Sequence, residues 1–133
     1  MCCLNSLTKK KQSTSKSKGQ LEADISKFLI SFEKGHMGRG PEDVRTHIIE
    51  DMVLIRLKGV LTPAEKALAK DEGGIQLVKQ VRAKLLESSH KILAKEITHI
   101  IGCQVVSFHT DISTQTGERF IIITLSEDLE QRL

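Results

Sequence analysis

Gly38-Arg39-Gly40-Pro41 is where residue types and spacing in this chain could first do chemistry. Glycines on either side of an arginine can turn backbone N–H groups toward an anion, with the guanidinium as charge partner. Arg45 and Arg56 lie in the two alternating apolar stretches that follow, and would join Arg39 if the fold gathers them on an open sheet face. With His47 and Lys58 nearby, the set suits a carboxylate, bicarbonate or phosphate, although Glu42, Asp43, Glu50 and Asp51 offset its charge. The candidate ligand-binding residues are therefore Gly38, Arg39, Gly40, Arg45 and Arg56. The same residues also fit a purely structural reading, in which the glycines allow a tight connection and the strand charges blunt a sheet edge. The segment is not a nucleotide phosphate loop, because it leads into a strand and lacks the GK[ST] ending.

No other constellation nominates a catalyst. His36, His47, His90, His99 and His109 include no HExxH motif and no i,i+4 pair, so no metal site is read. Cys103 has no activating partner in the sequence and reads as a buried structural thiol. Asp111 opens a hairpin turn, where Asp is common for its own hydrogen bonding. Without a positioned acid–base pair, the expectation is a protein that is not an enzyme and needs neither cofactor nor metal.

Composition narrows the partners. The chain has no Trp or Tyr and only four Phe, which argues against the aromatic platforms of single-strand nucleic-acid binding. Five lysines and no acid fall in residues 1–20, whereas 15 basic and 17 acidic residues make up the charge of 21–133. The basic character thus belongs to the tail, not to a basic patch on the fold, and no nucleic-acid partner is expected. No apolar run approaches the ~20 residues that span a bilayer. No signal-peptide core follows Met1, since Lys9 to Lys18 is polar. Cys2, Cys3 and Cys103 form no disulfide framework, so a reducing cytoplasm is the expected compartment. Residues 1–19 read as a disordered basic tail. Acylation of Cys2 and Cys3 with the lysines on anionic lipid is the alternative, and would place the protein peripherally at a membrane.

The elements that must position these groups are legible in the apolar pattern. Leu21, Ile25, Phe28, Leu29 and Phe32 mark a helix over about 20–34, ended by the glycines and Pro41. Residues 43–49 and 52–58 alternate as strands joined through Glu50-Asp51, a turn without the usual glycine. Thr62-Pro63-Ala64-Glu65 is a capping box with proline at N1, starting a short helix to about Asp71. Beyond Gly73-Gly74, the spacing of Ile75, Val78, Val81, Leu85, Ile92, Ile97 and Ile100 predicts helix over 75–101. That length, ~40 Å, implies a break near Ser88-Ser89 or packing on another subunit. Strands at 103–110 and 119–125 close the domain through Thr116-Gly117, and 127–133 is a frayed end or a short helix. The order helix, hairpin, helices, hairpin predicts an α+β fold: a four-stranded, mainly antiparallel sheet with helices on one face. Its two halves can be laid over one another as a pseudo-repeat.

GRGPEDVRTHIIEDMVLIRLKGVLTPAEKALA, then GIQLVKQVRAKLLE, then VVSFHTDISTQTGERFIIITL resembles the bacterial MpsC-like family over about residues 20–126. The family's name refers to a sodium-translocating, membrane-potential-generating system. The resemblance implies a small accessory or regulatory protein, associated with bacterial transport of sodium or inorganic carbon, while larger membrane proteins do the transport. It implies transport-system proteins as partners. The long helix and an uncovered sheet face add a homodimer. A small-anion or nucleotide sensor using the arginines above is the alternative, and an uncharacterised enzyme the third.

Overall fold

The computed structural model describes residues 16–133. The tail reading, including Cys2 and Cys3, falls almost wholly on residues 1–15, outside the described part.

Helix α1 (Lys18–Met37) starts earlier than its apolar stripe suggests, because Ser17 and Gln20 form a reciprocal capping box. Strands β1 (Asp43–Ile49) and β2 (Met52–Lys58) pair in full antiparallel register. Their turn dispenses with glycine by placing Glu50 itself at φ 55°. Helix α2 (Pro63–Leu68) carries the expected Thr62–Glu65 box and stops short of Asp71. Asp71 instead caps α3 (Glu72–Ile101), accepting from Gly74 N, so the glycine pair lies inside the first turn.

Helix α3 runs unbroken for 30 residues, ~45 Å. Ser88 and Ser89 do not break it, because their hydroxyls donate back to the Leu85 and Leu86 carbonyls. Strands β3 (Val105–Ser113) and β4 (Glu118–Leu125) form the second hairpin, and α4 (Leu129–Arg132) docks the C-terminus. Arg132 donates to the last carbonyl of α3, and Leu129 N to Glu50 O.

The fold is α+β. Its sheet order is β1-β2-β4-β3, and all three pairings are antiparallel. The second strand of each hairpin is central and the first is at an edge, as a pseudo-repeated hairpin requires. Val44, Ile48, Val53, Ile55, Leu57, Ile121, Ile123 and Leu125 point to one face and join Leu21, Ile25 and Leu29 of α1 with Val78, Leu86, Leu93 and Ile97 of α3 in one core. Among the described residues no helix covers the opposite face. Its rows include His47–Leu54–Ile122–His109, with Ile49 and Ile122 exposed.

The buried stripe of α3 differs in phase from the apolar spacing in the sequence. Val81 and Ile92 lie in solvent, while Arg82 and Ser89 are buried. The helix is apolar on more than one side, so tertiary packing selects the face.

Candidate functional site

Each of three core-facing elements gives one charged residue to the same place. In α1, Glu33 continues the spacing of Leu21, Ile25 and Leu29 and is 2% exposed. In α3, Arg82 falls between Val78 and Leu86, and in β4, Arg119 shares the inward parity of Ile121 and Ile123; each is 5% exposed. Charges at this depth persist only when paired and hydrogen-bonded.

Arg119 Nη1 donates to Glu33 Oε2 at 2.7 Å, and its Nε reaches Thr110 Oγ1 at 3.3 Å. Arg82 grips Glu65 through Nε (2.9 Å) and Nη2 (2.7 Å), and Nη2 also donates to Val60 O at 2.7 Å. Its third nitrogen, Nη1, stands 3.9 Å from Glu33 Oε1, beyond hydrogen-bond reach. That atom is buried without an acceptor among the described residues. Burial lowers the Arg119 value, Glu33 opposes the shift, and Arg82 as a second cation adds to it. Desolvation is the largest influence on Glu65 and would raise its carboxyl, but hydrogen bonds from Arg82 and the Thr62 backbone outweigh it and hold the group below its ordinary value.

Glu65 therefore serves twice. The capping-box oxygen that accepts from Thr62 N also accepts from Arg82, so the start of α2 is bolted to the middle of α3. Two clefts flank this cluster and share Arg82, Leu86 and Arg119. The narrower lies against Phe32, Glu33 and His36 of α1. The wider, about 340 Å³ including its open mouth, lies between α3 and the β3–β4 hairpin, with Lys79, Ala83, Thr110, Asp111 and Ile112 around it.

Of the residues nominated from sequence, Arg45 and Arg56 are brought side by side on the open sheet face, while Gly38, Arg39 and Gly40 lie at and after the end of α1. Gly38 is the left-handed C-cap of α1, with φ 85°, and its N–H returns to Lys34 O. Arg39 reaches the Leu61 and Gly59 carbonyls at 3.1 and 3.4 Å, tying the loop after α1 to the approach to α2. Gly40 lies against Ile30. Arg45 and Arg56 are direct cross-strand partners on the open face, but each has its own carboxylate. Arg45 pairs with Asp43 at 3.3 Å, and Arg56 with Glu118 at 2.5 Å while lying 5.8 Å from the Phe120 ring centroid. Cys103 is buried. No group of three metal-ligating side chains occurs among the described residues.

A profile described as "Na+-translocating membrane potential-generating system (MpsC)" matches residues 17–127. The chain belongs to the MpsC family. Similar proteins include the "Uncharacterized protein YbcI" of Bacillus subtilis (strain 168), 45% identical over 118 residues, covering 89% of this chain and 95% of that protein. The "Uncharacterized protein YrhF" of the same organism is 20% identical over 110 residues, covering 82% and 90%. No solved structure matches the chain.

In this MpsC chain the buried cluster did leave a signal in the sequence. Glu33 follows Leu29 by four, Arg82 follows Val78 by four, and Arg119 precedes Ile121 by two. A charged residue at the next position of an apolar stripe faces the core side of its element and needs a partner if it is buried there. Only packing shows that the three stripes meet.

Proposed function

We propose that this protein is a non-catalytic accessory or regulatory subunit that acts by binding protein components of a sodium-linked, membrane-potential-generating transport system. The match to the MpsC family over residues 17–127 carries the reading. It is supported by the fact that no described helix is long and apolar enough to cross a membrane, so a transport role fits contact with a spanning partner. It is also supported by the buried charges, which engage one another as cross-links between α1, α2, α3 and β4. A cytoplasmic position at the membrane surface and a homodimer belong to the same reading. The uncovered sheet face and the exposed Leu77, Val81 and Ile92 of the long α3 offer apolar surface for contact.

The test is affinity capture from native-host membranes with the full chain as bait. Recovery of integral subunits of a sodium-linked or inorganic-carbon transport system is expected. Recovery of no such subunit, with the bait shown to be folded, would sink the reading.

A second reading, a small-anion sensor, is favoured by one observation: the buried Arg82 Nη1 without an acceptor beside two clefts.

A further inference from the structure

We propose that the outer side of α3 rests on an anionic lipid surface, with Leu77, Val81 and Ile92 entering the interface and Lys84, Lys91 and Lys95 meeting the head groups. The proposal rests on the membrane-surface position read above, and names the contact residues and the chemistry they recognise.

Helix α3 carries two apolar stripes, and the core uses one. Val78, Leu86, Leu93 and Ile97 are buried. At about 100° per residue, Leu77, Val81 and Ile92 form a second stripe centred roughly 110° further round the helix. They are 47%, 47% and 54% exposed. Leu68, also exposed, extends this stripe at the end of α2, whose last carbonyl lies against Gly74. Lys84, Lys91 and Lys95 share the same arc of about 100°. All three are exposed, and none has a carboxylate partner among the described residues, unlike Lys16, Lys18 and Lys79. Glu72, Glu87 and Glu96, the acids of α3, fall outside that arc. The exposed stripe is therefore apolar and wholly cationic.

That composition selects the occupant. Protein–protein contacts favour aromatic residues and Arg and are poor in Lys, the reverse of this stripe. A second copy would set these lysines against their own kind. At a lipid surface, by contrast, a lysine lays its apolar stem beside Leu and Ile and raises its ammonium to the anionic head groups. The basic tail adds to the same end of the molecule. Lys18 pairs with Glu130 of α4 at 2.5 Å, and Arg132 of α4 donates to Ile101 O at the end of α3. The segment bearing Lys9, Lys10 and Lys11 thus joins the fold beside the end of α3 that carries Lys95.

The chain has no Trp, so Ile92→Trp in the full-length protein is a lone fluorescent reporter. Its emission is expected to move to the blue with phosphatidylcholine vesicles containing phosphatidylglycerol, and to stay put with phosphatidylcholine alone. Val106→Trp, at an exposed site on β3, should not respond to either. In vesicle sedimentation, Lys91→Gln and Lys95→Gln should each weaken binding about five-fold, and added salt should weaken it further. No blue shift at Ile92→Trp, or an equal one at Val106→Trp, overturns the proposal. So does vesicle binding indifferent to both lysine substitutions, the result expected if the tail alone held the lipid. A blue shift that grows with protein concentration without vesicles would assign the stripe to a second copy. Capture of transport subunits lost in the lysine variants, with no vesicle binding by the native chain, would assign it to a protein. Each of these overturns the lipid contact while leaving the accessory reading to its own capture test.

Discussion

Glu33 is the carboxylate on which two buried guanidiniums depend. It accepts from Arg119 directly and faces Arg82 Nη1 at 3.9 Å. Glu33→Ala would leave Arg119 buried without its counter-charge and is expected to cost about 3–5 kcal/mol, because desolvation of the surviving ion is no longer offset. Urea unfolding checks this as a lower midpoint at unchanged m value. Glu65 adds a pH dependence. Its folded carboxyl lies below the ordinary value of 4.5, so its contribution is complete above that pH and is lost as pH falls through the lowered folded value. Glu130 shifts the same way, through hydrogen bonds from Lys18 and Glu50 N. Urea midpoints measured downward from about pH 5 should therefore fall, and less steeply in Glu65→Gln than in the native chain. That variant should itself be less stable near neutrality by about 1–3 kcal/mol, since Arg82 loses a charged acceptor.

Two adjacent glycines at the start of α3 should respond in opposite senses. A Cβ on Gly74 would stand 1.6 Å from Leu68 O, a backbone atom at the end of α2 that cannot swing aside. Gly74→Ala must therefore push the two helices apart, at an expected cost of about 1–3 kcal/mol. At Gly73 the nearest atom, Asp71 Oδ1, would be 3.5 Å away, an ordinary contact. Gly73→Ala should gain about 0.5–1 kcal/mol by restricting the unfolded chain. Comparing the melting temperatures of the two variants isolates the close approach from helix propensity. The first hairpin offers a related test. Glu50 holds φ 55° at a turn where its backbone N–H meets Glu130 Oε1. Glu50→Gly keeps that hydrogen bond and relieves a left-handed conformation that costs a side-chain-bearing residue roughly 1 kcal/mol. The melting temperature is expected to hold or rise slightly.

At the scale of the molecule, the unexplained area is the open sheet face. Leu54 and Ile122 sit side by side at its centre, between His47 and His109, with Met52 and Phe120 in the neighbouring rows. The proposed homodimer predicts twice the 14.8 kDa chain mass by light scattering at about 50 µM, a concentration chosen because association follows mass action. Ile122→Glu, which puts a charge at the centre of that face, should restore the monomer without unfolding it. A monomeric native protein at that concentration, or a dimer indifferent to Ile122→Glu, would count against this face as the interface.

The local order of the fold could be read from the residues because local chemistry dictates it. Alternation in 43–58 and 119–125 forces strands, Thr62-Pro63-Ala64-Glu65 caps a helix by itself, and the predicted α+β arrangement follows from that order. Long-range placement could not be read the same way. Arg45 and Arg56 are cross-strand neighbours, as their places in one hairpin allow, but the structure turns Arg39 to loop carbonyls and gives the two strand arginines separate carboxylates. Glu33, Arg82 and Arg119 are 86 residues apart at their extremes and meet in the core. Glu33 and Arg119 continue apolar stripes of their own elements, whereas Arg82 lies off the spacing read in α3, whose buried face packing selects. Stripe periodicity says which way a residue faces within its element, but only the packing of α1, α3 and β4 decides what it faces.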